Sequence, residues 1–316
     1  MTGKLLKYDA LLLLAAFIWG LAFVAQRAGM AHVGPFTFNA VRFALGCLVL
    51  VPLGAAGRRR ATAANSGSSA GDASAPAAGT ISRRMLIVGG GLTGVALFLG
   101  ASLQQAGLVY TTASKAGFIT GLYVVFVPLL GLLWRQVPSW KGGLGAALAA
   151  IGLYLLSISG RLTIARGDAL VLAGAFVWAI HVLLIGRFSG RIGPLRLAAI
   201  QYTICSLLSL IAALTTETIT LAGLRGAAVP ILYGGLCSVG LAYTLQVIAQ
   251  RRAPPAHAAI ILSLEAVFAA LGGWALLNES LSTRSLAGGG LMLAGALLSQ
   301  FGLPPERAID DSPAGD

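Results

Sequence analysis

DALLLLAAFIWGLAFVAQRAGMAHVGP, residues 9–35, is restated at residues 168–194 as DALVLAGAFVWAIHVLLIGRFSGRIGP. Asp9-Ala10-Leu11, Phe17, Trp19 and Gly34-Pro35 return as Asp168-Ala169-Leu170, Phe176, Trp178 and Gly193-Pro194, a constant offset of 168 − 9 = 159. Five apolar spans separate the two copies. An odd number of crossings reverses direction, so the second copy is predicted to enter the membrane upside down relative to the first. Carriers that alternate access about a midplane site use that arrangement.

Composition points the same way. With 57% hydrophobic residues and 10% charged ones, 316 residues could not cover a water-facing surface with polar groups. Runs long enough to cross a hydrocarbon core of ~30 Å as helix are predicted at 8–27, 35–54, 84–107, 113–134, 138–157, 167–187, 193–214, 225–248, 254–277 and 281–302. The expected fold is therefore all-α and integral to the membrane, with ten transmembrane helices as two inverted five-helix repeats, 8–157 and 167–302, and a cytoplasmic tail at 303–316.

Basic residues in short loops stay on the cytoplasmic side. Lys4, Lys7, Arg58, Arg59, Arg60, Arg83, Arg84, Arg135, Lys141, Arg187, Arg191, Arg251 and Arg252 fall on one side of this arrangement. The other side carries only Arg161, Arg166, Arg225 and Arg284, with Arg27 at a helix end. Both termini are thus expected in the cytoplasm, in the inner membrane of a bacterium. The net charge of +12 marks topology and not nucleic-acid binding, because the cations are scattered over several loops without interleaved aromatics. The first apolar run has full span length and no small-residue cleavage pattern, so it is expected to remain as an anchor. Cys47, Cys205 and Cys237 all lie inside predicted spans, at spacings suited to neither a metal nor a disulfide framework.

One segment is foreign to this pattern. Residues 61–80, ATAANSGSSAGDASAPAAGT, contain no aromatic and no large aliphatic side chain. They cannot bury enough apolar surface to offset ordering the backbone, and a disordered cytoplasmic loop is expected over 57–83. The repeat agrees: beyond this segment Gln104 matches Gln246 and Val125-Phe126 matches Val267-Phe268, an offset of 142, so the first copy carries an insertion of 159 − 142 = 17 residues.

Gly89, Gly91 and Gly94 spell G-x-G-x-x-G, but inside an apolar span, where glycines serve close helix approach and not a dinucleotide. No serine sits in a nucleophile elbow and no histidine has a convincing carboxylate partner in sequence, so no enzyme, catalytic residue, metal or cofactor is expected. Charged groups within the spans are more informative, because burying them in lipid is costly unless they line a cavity or have a partner. Glu265 lies deepest. It suits a titratable or amine-binding carboxylate, or equally a helix-locking ion pair. Arg42 could bind a carboxylate, pair with Glu265 or snorkel. Lys115 sits near a span end, where snorkelling is easy, and its repeat equivalent is His257. Tyr123 occupies the repeat position of Glu265, and Gln201 that of Arg42. Trp19, Phe23 and Gln26 share one helical face, as do Trp178 and His181. Each aromatic could stack a solute or simply fill the core, and Gln104 and Gln246 are balanced in the same way.

Trp19-Gly20, Pro35 followed by Arg42-Phe43, and Ser263-Leu264-Glu265-Ala266 running through Asn278-Glu279 to Gly288 and Gly295 resemble the EamA domain of the drug/metabolite transporter superfamily. The resemblance covers about 8–302 as two repeats. It implies a carrier with the first four helices of each repeat around a central cavity and the fifth peripheral. It also implies small metabolites, often amino acids, as solutes, with export common. There are two departures: the acid present as Glu279 is replaced near Val137 in the first half, and the usual proline after Glu265 is Ala266. Four-helix relatives couple drugs to protons through a glutamate in their first helix, and this chain has none there. The expected partners are lipids, a small polar solute and protons, with a sugar or nucleotide-sugar carrier as the alternative.

Overall fold

The computed structural model describes residues 3–66, 82–133, 136, 139–157, 165–277 and 282–301. These residues form helices, with no strand among them: α1 (Gly3–Gly29), α2 (Pro35–Ser66), α3 (Arg83–Leu108), α4 (Ala113–Leu133), α5 (Trp140–Ser157), α6 (Arg166–Ile192), α7 (Pro194–Thr216), α8 (Ala228–Ala249), α9 (255–277) and α10 (Thr283–Gln300). A short helix, Leu221–Gly226, precedes α8.

Seven stretches among the described residues are long and apolar enough to cross a membrane, and α2 and α5 contribute shorter apolar helices at Pro35–Leu50 and Trp140–Leu156. This is a multi-pass membrane protein. α10 falls outside both groups because Thr283, Arg284, Ser285, Ser299 and Gln300 dilute its apolar content. The helix α2 continues through 57–66, where the sequence reading expected loop, because alanine and arginine are strong helix formers. Residues 67–81, Arg135, Val137, Arg161, Asn278, Glu279 and the tail at 303–316 lie outside the described residues.

Prolines at the first helical position start α2, α7 and α9, where a missing N–H costs nothing. Gly193, with φ at 88°, makes the tight turn from α6 into α7 that a side chain would strain. Elsewhere glycines set spacing. The backbones of α5 and α10 approach so closely at Gly145–Gly295 and Gly152–Gly288 that an added Cβ would lie about 2.5 Å from the facing carbonyl oxygen. Gly89, Gly90 and Gly94 lie against Phe188, Ile200 and Ile204, which is helix packing, whereas Gly91 meets nothing.

Contacts fix the helix directions. α1 runs against α8 (Gly29 at Pro230, Trp19 at Ser238), and α8 runs with α2 (Leu45 at Gly235, Val49 at Gly240). α2 runs against α7 (Gly34 at Glu217, Ala40 at Ser206), and α7 runs with α3 (Gly90 at Ile200, Gly94 at Ile204). α3 runs against α6 (Gly107 at Val171, Gly89 at Ile192). α6 therefore points opposite to α1, although the two share a sequence pattern.

Two helices are interrupted at matching positions. In α4 the regular run stops at Gly121 and restarts at Tyr123; in α9 it stops at Leu262 and restarts at Glu265. Around both breaks the amides reach back three residues instead of four, as in Leu122 N–H to Ile119 O and Leu264 N–H to Ile261 O. The second break forms without the proline that Ala266 replaces. Instead Ser263 Oγ donates to Ile260 O at 2.8 Å, a local bond that competes with helix continuation.

Candidate functional site

The breaks deliver Tyr123 and Glu265 to one cavity near the middle of the bundle. Its volume, counted as space open to the centre of a water molecule, is about 40 Å³. A single water needs roughly 10–15 Å³ on that measure, so a few waters fit and a larger solute requires side-chain movement. Trp19, Phe23 and Gln26 come from α1, Arg42 from α2, Gln104 from α3, Thr120 and Tyr123 from α4, and Trp178 and Val182 from α6. The remainder come from α8 (Ser238, Tyr243, Gln246) and α9 (Leu262, Glu265). Among the described residues α5 and α10 contribute nothing to the lining.

Both ionisable groups are buried and they are not paired with each other. The Arg42 Nη1 donates to Gln26 Oε1 at 3.0 Å, its guanidinium stands 5.0 Å from the Phe43 ring centre and 5.5 Å from that of Phe38, and its Nε has no partner. Glu265 Oε1 also lacks a hydrogen-bond partner, with the Tyr123 side chain beside it. The ion pair that the sequence allowed between Arg42 and Glu265 does not form. Among the described residues the ion pairs are Lys115–Asp168 and His257–Asp9.

Aromatic rings wall the cavity around Tyr243. Trp178 stacks on it with ring centres 5.9 Å apart, and Trp19 tilts against it at 4.6 Å while donating its indole N–H to Ser238 O at 3.3 Å. That carbonyl lies in a π-helical stretch, Tyr233–Tyr243, which also turns Tyr243 inward. Gln104 Nε2 donates to Thr120 Oγ1 at 3.4 Å, whereas Gln246 Oε1 is left without a partner.

Nine of the residues singled out in the sequence thus line the cavity: Glu265, Arg42, Trp19, Phe23, Gln26, Trp178, Tyr123, Gln104 and Gln246. Three do not. His181 Nε2 and Gln201 Oε1 satisfy each other at 2.8 Å in the layer behind Trp178. Lys115 lies at the end of the bundle, where its Nζ donates to Asp168 Oδ2 at 2.5 Å. The sequence reading passed over Tyr243, Ser238 and Thr120, because no charge or polar spacing marks them within their apolar runs. The glycine-rich run YGGLCSVGLAY at 233–243 was the available clue to an irregular helix.

Residues 6–158 and 165–301 each match the EamA-like transporter family. The chain belongs to that family. This EamA-like protein is similar to an uncharacterized transporter of Archaeoglobus fulgidus, 31% identical over 297 residues, covering 93% of this chain and 86% of that protein. A second uncharacterized transporter of the same organism is 26% identical over 309 residues, covering 93% and 97%. A solved crystal structure superposes with a TM-score of 0.72 at 18% identity over 93% of this chain and 96% of that one, which speaks to the fold alone. The EamA-like family lies within the drug/metabolite transporter superfamily.

Proposed function

We propose that this EamA-like transporter exports small zwitterionic metabolites, amino acids or their close relatives, by alternating access. The observation that carries the reading is one small cavity holding a buried cation, Arg42, and a buried acid, Glu265, with no ion pair between them. Leaving an acid and a base buried and apart is costly unless a solute completes them. A zwitterion brings a carboxylate for Arg42 and an ammonium for Glu265, while Trp19, Trp178 and Tyr243 supply apolar walls. A sugar-phosphate reading requires further cations, and among the described residues Arg42 is the only Lys or Arg in the lining, with Lys115 paired to Asp168.

The two offsets, the opposed directions of α1 and α6 and the paired breaks support two inverted five-helix repeats, 8–157 and 167–302, with α10 as the tenth span. The distribution of lysine and arginine supports cytoplasmic termini in the cytoplasmic membrane. Rocking of one half about the cavity would then expose Glu265 and Arg42 to each side in turn.

Counterflow in proteoliposomes loaded with pooled amino acids, sugars or polyamines tests the proposal. Saturable exchange is expected with the amino-acid pool. Exchange with the sugar pool alone would refute the zwitterion reading.

A further inference from the structure

We propose that the two ends of the cavity are unlike. Gln26, Arg42 and Gln105 form a polar mouth toward the end of the bundle where α1 finishes, and Ile185, Phe188 and Val247 form an apolar gate toward the end where α6 finishes.

The repeat offsets give each residue a counterpart in the other half of the chain. Of the fourteen described residues lining the cavity, ten form five such pairs, among them Trp19 with Trp178 at 159 and Tyr123 with Glu265 at 142. The middle of the cavity therefore draws evenly on both halves. Gln26 and Arg42 break the balance: their counterparts at 159, Ile185 and Gln201, lie outside the lining. Gln26 stands about two helical turns past Trp19 on α1, so it carries the cavity toward the α1 end.

One turn past Val182, at the other end, α6 enters a buried apolar cluster. Ile185, Phe188 and Ile192 meet Leu197 of α7 and Val247 of α8, with Met85 and Leu86 of α3 packed against them. The counterparts of the five core members are Gln26, Gly29, Val33, Phe38 and Gln105. Val33 and Phe38 keep the apolar character. The other three positions exchange bulky apolar side chains for two amides and a glycine.

The amides at the α1 end form one hydrogen-bonded chain with Arg42. Gln105 Nε2 donates to Gln26 O at 3.4 Å, and Gln26 Oε1 accepts from Arg42 Nη1 at 3.0 Å. The buried Gln105 Oε1 has no protein partner. At the α6 end Gln201, in the place of Arg42, is held by His181 at 2.8 Å.

A charged group passing Ile185, Phe188 and Val247 exchanges water for side chains that offer no hydrogen bond, which is costly. A hydrophobic constriction also closes by excluding water. Gln26, Gln105 and Arg42 instead replace the hydrogen bonds of water one after another. The contrast lies in residue identity, so it persists whichever end is exposed. That a zwitterion passes the mouth and the gate rests on the transport reading above; the difference in water access does not.

The test uses the full-length chain in right-side-out and inverted vesicles, with Cys47, Cys205 and Cys237 replaced by alanine. Single cysteines are placed by Gln26→Cys, Gln105→Cys, Ile185→Cys and Val247→Cys. The probe is a membrane-impermeant anionic methanethiosulfonate, with no solute present. The first two variants are expected to react from the α1 end about tenfold or more faster than the last two react from the α6 end. Equal rates overturn the mouth. A cationic reagent should give the same order; an order that reverses with reagent charge would report the field of Arg42 and overturn it too. For the gate, Ile185→Gln with Val247→Gln gives the α6 end the amides of the mouth. The pair should speed reaction of Val182→Cys from that end by about tenfold without speeding it from the α1 end. An unchanged rate, in protein that elutes as the wild type does, overturns the gate, and Ile185→Ser supplies the same readout where the two amides prevent folding. Labelling needs no solute, so absent counterflow beside the expected labelling would count against the transport reading alone.

Discussion

At the scale of single residues, Arg42 and Glu265 matter because they share a cavity without sharing a bond. A charge-assisted hydrogen bond contributes about 1.5–3 kcal/mol, which corresponds to roughly 10–100-fold in affinity. Glu265→Gln and Arg42→Gln are each expected to lower counterflow by at least tenfold, in protein that still inserts and elutes as the wild type does. The two variants should differ in selectivity. Solutes without an amine lose their dependence on residue 265, and solutes without a carboxylate lose it on residue 42. Equal rates for wild type and Glu265→Gln in the counterflow assay would remove that carboxylate from the site. The sequence identified both charges from their depth in apolar runs. It could not show that they stay apart, because that depends on Phe38, Phe43 and Gln26 holding the guanidinium in place.

At the scale of elements, the helices meet through glycine backbones and are tied at their ends by side chains from distant helices. Glu217, just past α7, accepts the Phe36 and Thr37 amides of α2 at 2.8 Å each, and the Thr37 hydroxyl at 2.6 Å. It caps α2 from another helix. Glu217→Ala should cost about 0.5–2 kcal/mol, the range seen when an N-cap is lost, and lower the thermal midpoint in detergent. Two glycines two residues apart on α10 provide a sharper contrast. A Cβ at Gly288 would meet Gly152 O at about 2.5 Å, whereas one at Gly290 meets nothing within 4 Å. Gly288→Ala is expected to destabilise by about 1–3 kcal/mol through overpacking. Gly290→Ala should be neutral or stabilising by up to about 1 kcal/mol through helix propensity. Similar melting of the two variants would show that the α5–α10 contact is dispensable.

At the scale of the whole molecule, two acid–base pairs, the buried Asp9–His257 and the partly exposed Lys115–Asp168, tie opposite ends of the bundle around the cavity. Lys115→Ala removes one clamp and leaves Asp168 with only its neutral donors. Apparent solute affinity measured from the two faces of oriented proteoliposomes should then diverge from the wild-type ratio by several-fold, since one end opens more easily. Residues 67–80 contain no aromatic and no large aliphatic side chain, so by composition they have little apolar surface to bury. Deleting them should leave both the thermal midpoint and counterflow intact, and a loss of folding would contradict the insertion reading.

Membrane residence, the repeat at offsets 159 and 142, and the inward placement of Glu265 were determined by the sequence alone; the burial of Arg42, which could equally have snorkelled, was not. Apolar length, spacing and the cost of a charge in lipid are local properties, readable one segment at a time. The position of Tyr243, the break before Glu265 without a proline, the withdrawal of Lys115 to Asp168 and the pairing of Asp9 with His257 were decided only by the tertiary structure. Tyr243, Lys115 and Asp9 each meet residues far away in the chain, 248 positions in the last case, whereas the break before Glu265 is accompanied by a local bond from Ser263 to Ile260. Which distant side chain satisfies a buried group depends on how the helices cross, and no single segment carries that information.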